Sequence, residues 1–417
     1  MSGFQSFDYR DNELYVESVS LSHIAKTFGT PCYVYSKKAI TDSYQAFDTA
    51  FADKDHLICY AVKANANIAI LNLLARLGSG FDIVSGGELQ RVLKAGGDPR
   101  KIVFSGVGKN TDEMRLALTA NILCFNVESE AELAALNQIA GEMKHVASVS
   151  LRVNPDVDAK THPYISTGLK ENKFGIPIDD AERIYTTSQG LKHIRFTGLD
   201  CHIGSQLTEL GPFAQASKRI LSLVNRIESK GIEIEHLDLG GGLGIRYHGE
   251  EPPSIQEYVE SLCANTSQLT KRILIEPGRA LIGNAGLLLT RIEYLKQTPD
   301  KNFAIVDAAM NDLMRPALYD AYHEILPVIK KDANKEIYQI VGPICETGDF
   351  LGHDRKLNST SGDILAVMSS GAYGMSMSSN YNTRPRVAEV MVDGDDVHLI
   401  RERETIDHLI ATEKILP

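Results

Sequence analysis

Four short stretches of the chain place reactive or anion-binding residues just after an apolar run. Lys63 lies in CYAVKANANIAIL (59–71), His202 and Ser205 in CHIGSQ (201–206), Gly240, Gly241 and Gly242 in DLGGGLG (238–244), and Glu276, Gly278 and Arg279 in EPGRA (276–280). A lysine there is either a solvated strand end, its apolar stem covered and its head in water, or an amine whose proton affinity is lowered by burial and a neighbouring cation. A compact amine can do imine chemistry that an arginine cannot. Three successive glycines let backbone N–H groups close around an anion, although a triplet alone equally suits a tight turn needing positive φ. Glu276 is a solvated or capping carboxylate, or else it faces a pyridine nitrogen and keeps it protonated. A protonated pyridine is the electron sink that pyridoxal phosphate uses to stabilise a carbanion. His202 is a satisfied core histidine, or it lies flat against such a ring beside Gly204 and Ser205.

These residues need a scaffold that aims them at one place. Eight β-like runs begin near Leu57, Phe81, Lys101, Ile122, Val149, Phe196, His236 and Ile273. Between them lie stretches of helical period, such as Ile70, Leu73, Leu74 and Leu77, or Ile255, Tyr258, Val259 and Leu262. Eight strand–helix units predict a closed (β/α)8 TIM-like barrel. The competing open doubly wound sheet lacks its G-x-G-x-x-G fingerprint after the first strand. In a barrel the strand C-termini share one rim, which gathers Lys63, Ser85 to Glu88, Arg152, Asn154, His202, Ser205, the glycines and Glu276 to Arg279. Adjacent phosphate loops after the seventh and eighth strands are a recurrent feature of that rim.

After about Gly283 strands follow one another with turn signals and little helical pattern, which predicts an antiparallel β domain, a barrel or sandwich. The first thirty-five or so residues, ending in PCYVYS, break the strand–helix rhythm and are read as completing that domain. The expected division is 36–282 for the barrel and 1–35 plus 283–417 for the β domain.

Composition narrows the function. The chain has 417 residues, 43% hydrophobic and 23% charged, with a formal charge of -11 and no block of Lys or Arg. Nucleic acid and anionic membranes are therefore poor partners, and a small-molecule ligand is the better default. No basic-then-apolar leader and no run of about 18 apolar residues is seen, so a cytoplasmic protein is expected. Cys32, Cys59, Cys124, Cys201, Cys263 and Cys345 are scattered without paired metal-type spacing, so no metal site is expected and most are read as core thiols.

YAVKAN, CHIGSQ, GGGLG and EPGRA, in that order, resemble the fold-type III pyridoxal phosphate enzymes, the alanine racemase-like barrels with a C-terminal β domain. Three further blocks, 152–176, GPICETGDFLG (342–352) and SSGAYGMSMSSNYNTRPR (369–386), resemble the diaminopimelate decarboxylase family, carboxy-lyases of the last step of lysine biosynthesis. The resemblance spans almost the whole chain. It implies pyridoxal 5'-phosphate joined to Lys63, with Glu276 on the pyridine nitrogen and His202 stacked on the ring. Ser205, Gly241, Gly242 and the Gly278–Arg279 turn would cradle the phosphate. Cys345 would protonate the α-carbon after carbon dioxide leaves. Arg279, Arg315 and Tyr319 would bind the distal carboxylate, Glu346 the distal ammonium, and Tyr373 both cofactor and substrate. It further implies a homodimer with shared active sites, in which Cys345 and Glu346 enter from the partner chain.

Two readings compete. Decarboxylases of ornithine, arginine or carboxynorspermidine share the barrel and the lysine but are not expected to combine THPYISTG (161–168) with these distal-carboxylate residues. A catalytically silent pyridoxal phosphate-binding homologue is disfavoured by the intact Lys63, Glu276, Cys345 and Arg279. An alanine racemase is disfavoured by Glu276, where that family has an arginine.

Overall fold

Apolar runs too short for helices, each bounded by glycine or polar residues, form the eight strands of a barrel. The strands are β1 (His56–Ala61), β2 (Gly80–Ile83), β3 (Ile102–Phe104), β4 (Cys124–Val127), β5 (Ala147–Asn154), β6 (Ile194–Asp200), β7 (His236–Asp238) and β8 (Arg272–Ile275). Each pairs in parallel with the next. Strand β8 pairs with β1 and closes the ring. Every residue of β2, β3, β4 and β7 is buried, which explains why these strands read as continuous runs without alternation. Leu57, Cys59, Val103, Cys124 and Leu274 make an apolar cluster contributed by β1, β3, β4 and β8.

After β2 and β4 the helices start at once because the caps are written there, whereas after β6 and β7 they start only at Gly211 and Ile255. The Asn67 side chain accepts the Ala69 N–H at the head of helix Ile68–Arg76, which buries Ile70, Leu71, Leu73 and Leu74. Ser85 and Ser129 cap the helices after β2 and β4 in the same way. The turns after β2 and β4 stay short, and the longer ones after β6 and β7 carry His202, Ser205 and the three glycines.

The computed structural model describes residues 6–158, 173–264, 271–332 and 334–417. It divides into two units: Met1–Asp42 with Arg246–Glu250 and Leu281–Pro417, and Ser43–Ile245 with Glu251–Ala280. The second contains the barrel. Arg246–Glu250, inside the span read as barrel, groups with the first, where Asn284 and Ser369 donate hydrogen bonds to the Arg246 carbonyl at 3.0 and 3.4 Å.

The first unit is built on the long strand Gly286–Gln297. It pairs antiparallel with Asn302–Val306, Ile364–Val367 and Cys32–Ser36. The N-terminal strand Cys32–Ser36, buried throughout, therefore completes a sheet made otherwise from the C-terminal third of the chain. The sheet is mixed rather than wholly antiparallel: Cys32–Ser36 runs parallel to Ala388–Asp393, and Asn302–Val306 parallel to Glu336–Val341. Both pairs are separated by long crossovers, which parallel pairing requires. Strands Phe7–Arg10, Glu13–Val16 and Val19–Ser20 form a small antiparallel sheet ahead of helix Leu21–Phe28. Phe7, Leu14, Val16, Leu21 and Ile24 share a core with Val34, Leu287, Leu289 and Val390. Among the described residues no helix is long and apolar enough to cross a membrane.

Candidate active site

Just past the end of β1 the chain turns into a single 3-10 turn, Val62–Ala64. That turn carries Lys63, whose Nζ donates to Asp82 Oδ2 at 2.7 Å; Asp82, on β2, is fully buried. Glu276 follows β8 and is also buried, its Oε1 accepting from Ser105 Oγ and Asn126 Nδ2, each at 3.3 Å. Its backbone N–H donates to the Gly240 carbonyl at 2.8 Å, and the Pro277 carbonyl accepts from the Ala61 N–H at 3.1 Å. The turns after β1, β7 and β8 are thereby tied together.

The glycines fit a cradle that no larger residue could form. An added Cβ at Gly241 would stand 2.2 Å from the Glu276 carbonyl oxygen, and one at Gly242 would stand 2.5 Å from the Gly204 carbonyl oxygen. Gly240 and Gly242 also have φ of +66° and +115°. The Gly241 N–H donates to His202 Nδ1 at 3.1 Å, which makes Nδ1 the acceptor and leaves any ring proton of neutral His202 on Nε2. Burial, then the Arg152 and Lys63 charges, push His202 well below its ordinary range, so this imidazole is neutral. Arg279 is buried and donates to Ser205 Oγ, 3.1 Å from Nη2, while Gly278 packs against Ala61 and Ala64.

Behind these residues lies a group of acids. One carboxylate oxygen from each of Asp200, Asp238 and Glu276 lies within 4.8 Å of the others. Burial first, then the Asp238, Asp82 and Asp200 charges, raise Glu276 well above the carboxylate range, while Lys63 opposes them. Asp238 is pushed up to about 7, chiefly by burial. Both Asp200 oxygens lack a hydrogen-bond partner among the described residues, while the Asp238 carboxyl group is hydrogen-bonded to that of Glu276. Arg152 lies 3.2 Å from Glu128 and 3.8 Å from Asp200. Glu88 accepts the Val84 N–H and is raised to about 7, again mainly by burial.

The second unit thus brings together Lys63, His202, Ser205, Gly241, Gly242, Glu276, Gly278 and Arg279. Asp82, Asp200, Asp238, Ser105 and Asn126 were not singled out from the sequence. Each buried acid had a signal: an aspartate inside an apolar strand run, in FDIV, GLDC and HLDLG.

The other expected residues lie in the first unit. Cys345 and Glu346 are exposed neighbours in the turn after strand Glu336–Val341. Arg315 and Tyr319 bound one short helix, Arg315–Tyr319, and are four residues apart on it. The Arg315 guanidinium stacks 4.4 Å from the Tyr247 ring centre and donates to His323 Nε2 at 2.9 Å. His323 Nδ1 in turn donates to the Met368 carbonyl. Tyr373 sits at φ +54°, in the left-handed region. The block 152–176 falls partly outside the described residues, and THPYISTG (161–168) lies wholly outside them.

An amine, a carboxyl group, a neutral imidazole and a glycine cradle at the C-terminal ends of parallel strands suit a phosphorylated pyridine cofactor. Residues 37–283 match the family model described as "Pyridoxal-dependent decarboxylase, pyridoxal binding domain". The chain is 59% identical to the diaminopimelate decarboxylase of Pseudomonas aeruginosa and 56% identical to that of Vibrio cholerae, covering 99% of each chain in both cases. Solved structures agree. Diaminopimelate decarboxylase from Helicobacter pylori, complexed with L-lysine, superposes with a TM-score of 0.91 at 41% identity over 94% of this chain and 98% of that one. The M. jannaschii enzyme, in co-complex with L-lysine, gives 0.95 at 39% identity over 100% and 99%. Barrel, cradle and full-length similarity lead to one conclusion: the chain belongs to the pyridoxal-dependent decarboxylases, within the diaminopimelate decarboxylase family.

Proposed function

We propose that this protein catalyses the pyridoxal phosphate-dependent decarboxylation of meso-2,6-diaminopimelate to L-lysine and carbon dioxide, as a cytoplasmic homodimer. The observation that carries the reading is the rim of the barrel: the Lys63 amine on Asp82, Glu276 among buried acids, and glycines packed too closely for any Cβ, in a chain 59% identical to a diaminopimelate decarboxylase.

When bound, pyridoxal phosphate supplies a cationic ring that accepts the electron pair left behind as a carboxylate departs. Lys63 would be the amine that holds it, and Asp82 Oδ2, which accepts from Lys63 Nζ at 2.7 Å, would take and return the lysine proton. Glu276 would face the ring nitrogen and share a proton with it, and the bonds from Ser105 and Asn126 to its Oε1 hold the carboxyl group in place. His202, neutral and bonded through Nδ1 to Gly241, offers a flat face without an added positive charge. Ser205, Gly241, Gly242 and the Gly278–Arg279 turn bind the phosphate.

For the substrate, Arg279, Arg315 and Tyr319 take the distal carboxylate, where a guanidinium fork matches a planar anion. Glu346 takes the distal ammonium, and Tyr373 touches both cofactor and substrate. Cys345 Sγ gives its proton to the α-carbon once carbon dioxide has left. Cys345 and Glu346 are assigned to the partner's site, so each active site draws on two chains.

Carbon dioxide release by the holoenzyme tests the reading. It should be observed with meso-diaminopimelate and be at least about a hundredfold slower with ornithine, arginine or carboxynorspermidine, because unpaired buried charges reject the wrong substrate. Comparable turnover of ornithine would overturn the substrate assignment. A cofactor band that shifts with diaminopimelate without gas release would mark a silent homologue.

A further inference from the structure

The Cys345–Glu346 pair lies in an exposed turn, yet the turn is held from two sides. At its base the Asp349 carboxylate accepts the Ile344 N–H at 2.8 Å and the Met310 N–H at 2.7 Å. At its tip the contacts come from one other segment. Asn382 Oδ1 accepts the Cys345 N–H at 3.0 Å, and the Tyr381 hydroxyl donates to Glu346 Oε2 at 2.7 Å. Asn382 and Thr383 both occupy the left-handed region, at φ +54° and +59°. Asparagine adopts that region more readily than most residues, but a β-branched threonine there is an outlier that persists only where the surroundings over-determine the backbone.

The surroundings do so here. Asn380 Nδ2 donates to Glu404 at 2.8 Å and to the Arg384 carbonyl at 3.0 Å, Arg386 donates to Asn380 Oδ1 at 2.6 Å, and Arg384 donates to the Asp307 carbonyl at 2.6 Å. A strained, bonded platform thus presents one acceptor and one donor, and both are spent on the Cys345–Glu346 pair.

We propose that Tyr381 and Asn382 are positioning residues for catalysis and specificity, Asn382 fixing the backbone from which the Cys345 thiol is aimed and Tyr381 fixing the Glu346 carboxylate that receives the distal ammonium. The proposal rests on the function proposed above. A carboxylate on a long side chain in an exposed turn would otherwise spread over many rotamers, and ordering it beforehand removes that cost from substrate binding. The two effects separate by substrate group: Tyr381 acts on the distal end, Asn382 on proton delivery at the α-carbon.

The test compares holoenzymes carrying Tyr381→Phe, Asn382→Ala and Asn382→Asp, with meso-diaminopimelate and with 2-aminopimelate, which lacks the distal amine. Tyr381→Phe should raise KM for diaminopimelate about tenfold, as loss of a hydrogen bond to a charged group does, with kcat within about twofold and 2-aminopimelate kinetics unchanged. Asn382→Ala should lower kcat about tenfold at similar KM, and Asn382→Asp, which keeps the acceptor, should recover most of it. Equal losses on both substrates in Tyr381→Phe, an Asn382→Asp enzyme no better than Asn382→Ala, or variants that match the parent would overturn the proposal alone. A parent enzyme that releases no carbon dioxide from diaminopimelate would overturn the substrate reading and this proposal with it.

Discussion

At the scale of single residues, the site works by setting proton affinities apart. Burial keeps His202 neutral, and burial with its acidic neighbours raises the proton affinity of Glu276. Replacing Glu276 with Gln keeps the shape but removes the shared proton at the ring nitrogen. The account predicts a fall in kcat of about a hundredfold with pyridoxal phosphate still retained, read from steady-state kinetics and the holoenzyme spectrum. Asp238 gives a stability prediction. It titrates near 7 in the folded chain against an ordinary 3.8. Between those values the folded state holds more protons than the unfolded one, so stability falls as pH rises, and the loss is complete above about 7. Asp238→Asn, whose oxygen can still accept the Gly240 N–H, should leave the cofactor-free protein nearly unchanged near pH 4 and stabilise it by about 4 kcal/mol near pH 8. Denaturant unfolding at the two pH values checks this, and an equal gain at both would contradict it.

At the scale of elements, the strand-to-helix turns decide what the barrel can hold. Gly241 and Gly278 make a graded pair. A Cβ at Gly241 meets backbone at 2.2 Å, whereas one at Gly278 meets the methyl groups of Ala61 and Ala64 at 3.1 Å and backbone, the Ala61 carbonyl oxygen, no nearer than 3.5 Å. Gly241→Ala is therefore expected to weaken pyridoxal phosphate binding at least about tenfold, and Gly278→Ala by less than about threefold, measured by equilibrium dialysis. Equal effects would remove the cradle from the account. Much of this level was legible beforehand. Parallel strands buried on both faces read as plain apolar runs, and cap residues such as Asn67 and Ser85 follow them directly, so all eight strand starts fell close to their observed places. The Lys63, His202 and Glu276 positions followed from those ends. Asp82, Asp200 and Asp238 were not recovered, because an acid in a strand run becomes unusual only once its neighbours across the barrel are known. The Tyr381–Glu346 bond, between residues 35 apart, likewise depends on long-range packing that no local pattern encodes. The mixed character of the second sheet was missed because strand direction is set by crossovers, not by the runs themselves.

At the scale of the whole molecule, the proposal is a site assembled from two chains. Mixing Lys63→Ala chains with Cys345→Ala chains, each inactive alone, should restore about one quarter of the parent activity, since half of randomly paired dimers are mixed and each has one intact site of two. No recovery after verified subunit exchange would contradict sharing. Every assignment nevertheless returns to one amine. The most direct measurement is to reduce the holoenzyme with borohydride, digest it and locate the pyridoxyl group by mass spectrometry. The account predicts a single adduct, on the peptide containing Lys63, and its disappearance in Lys63→Ala. An adduct on another lysine, or none in a protein saturated with the cofactor, would contradict it.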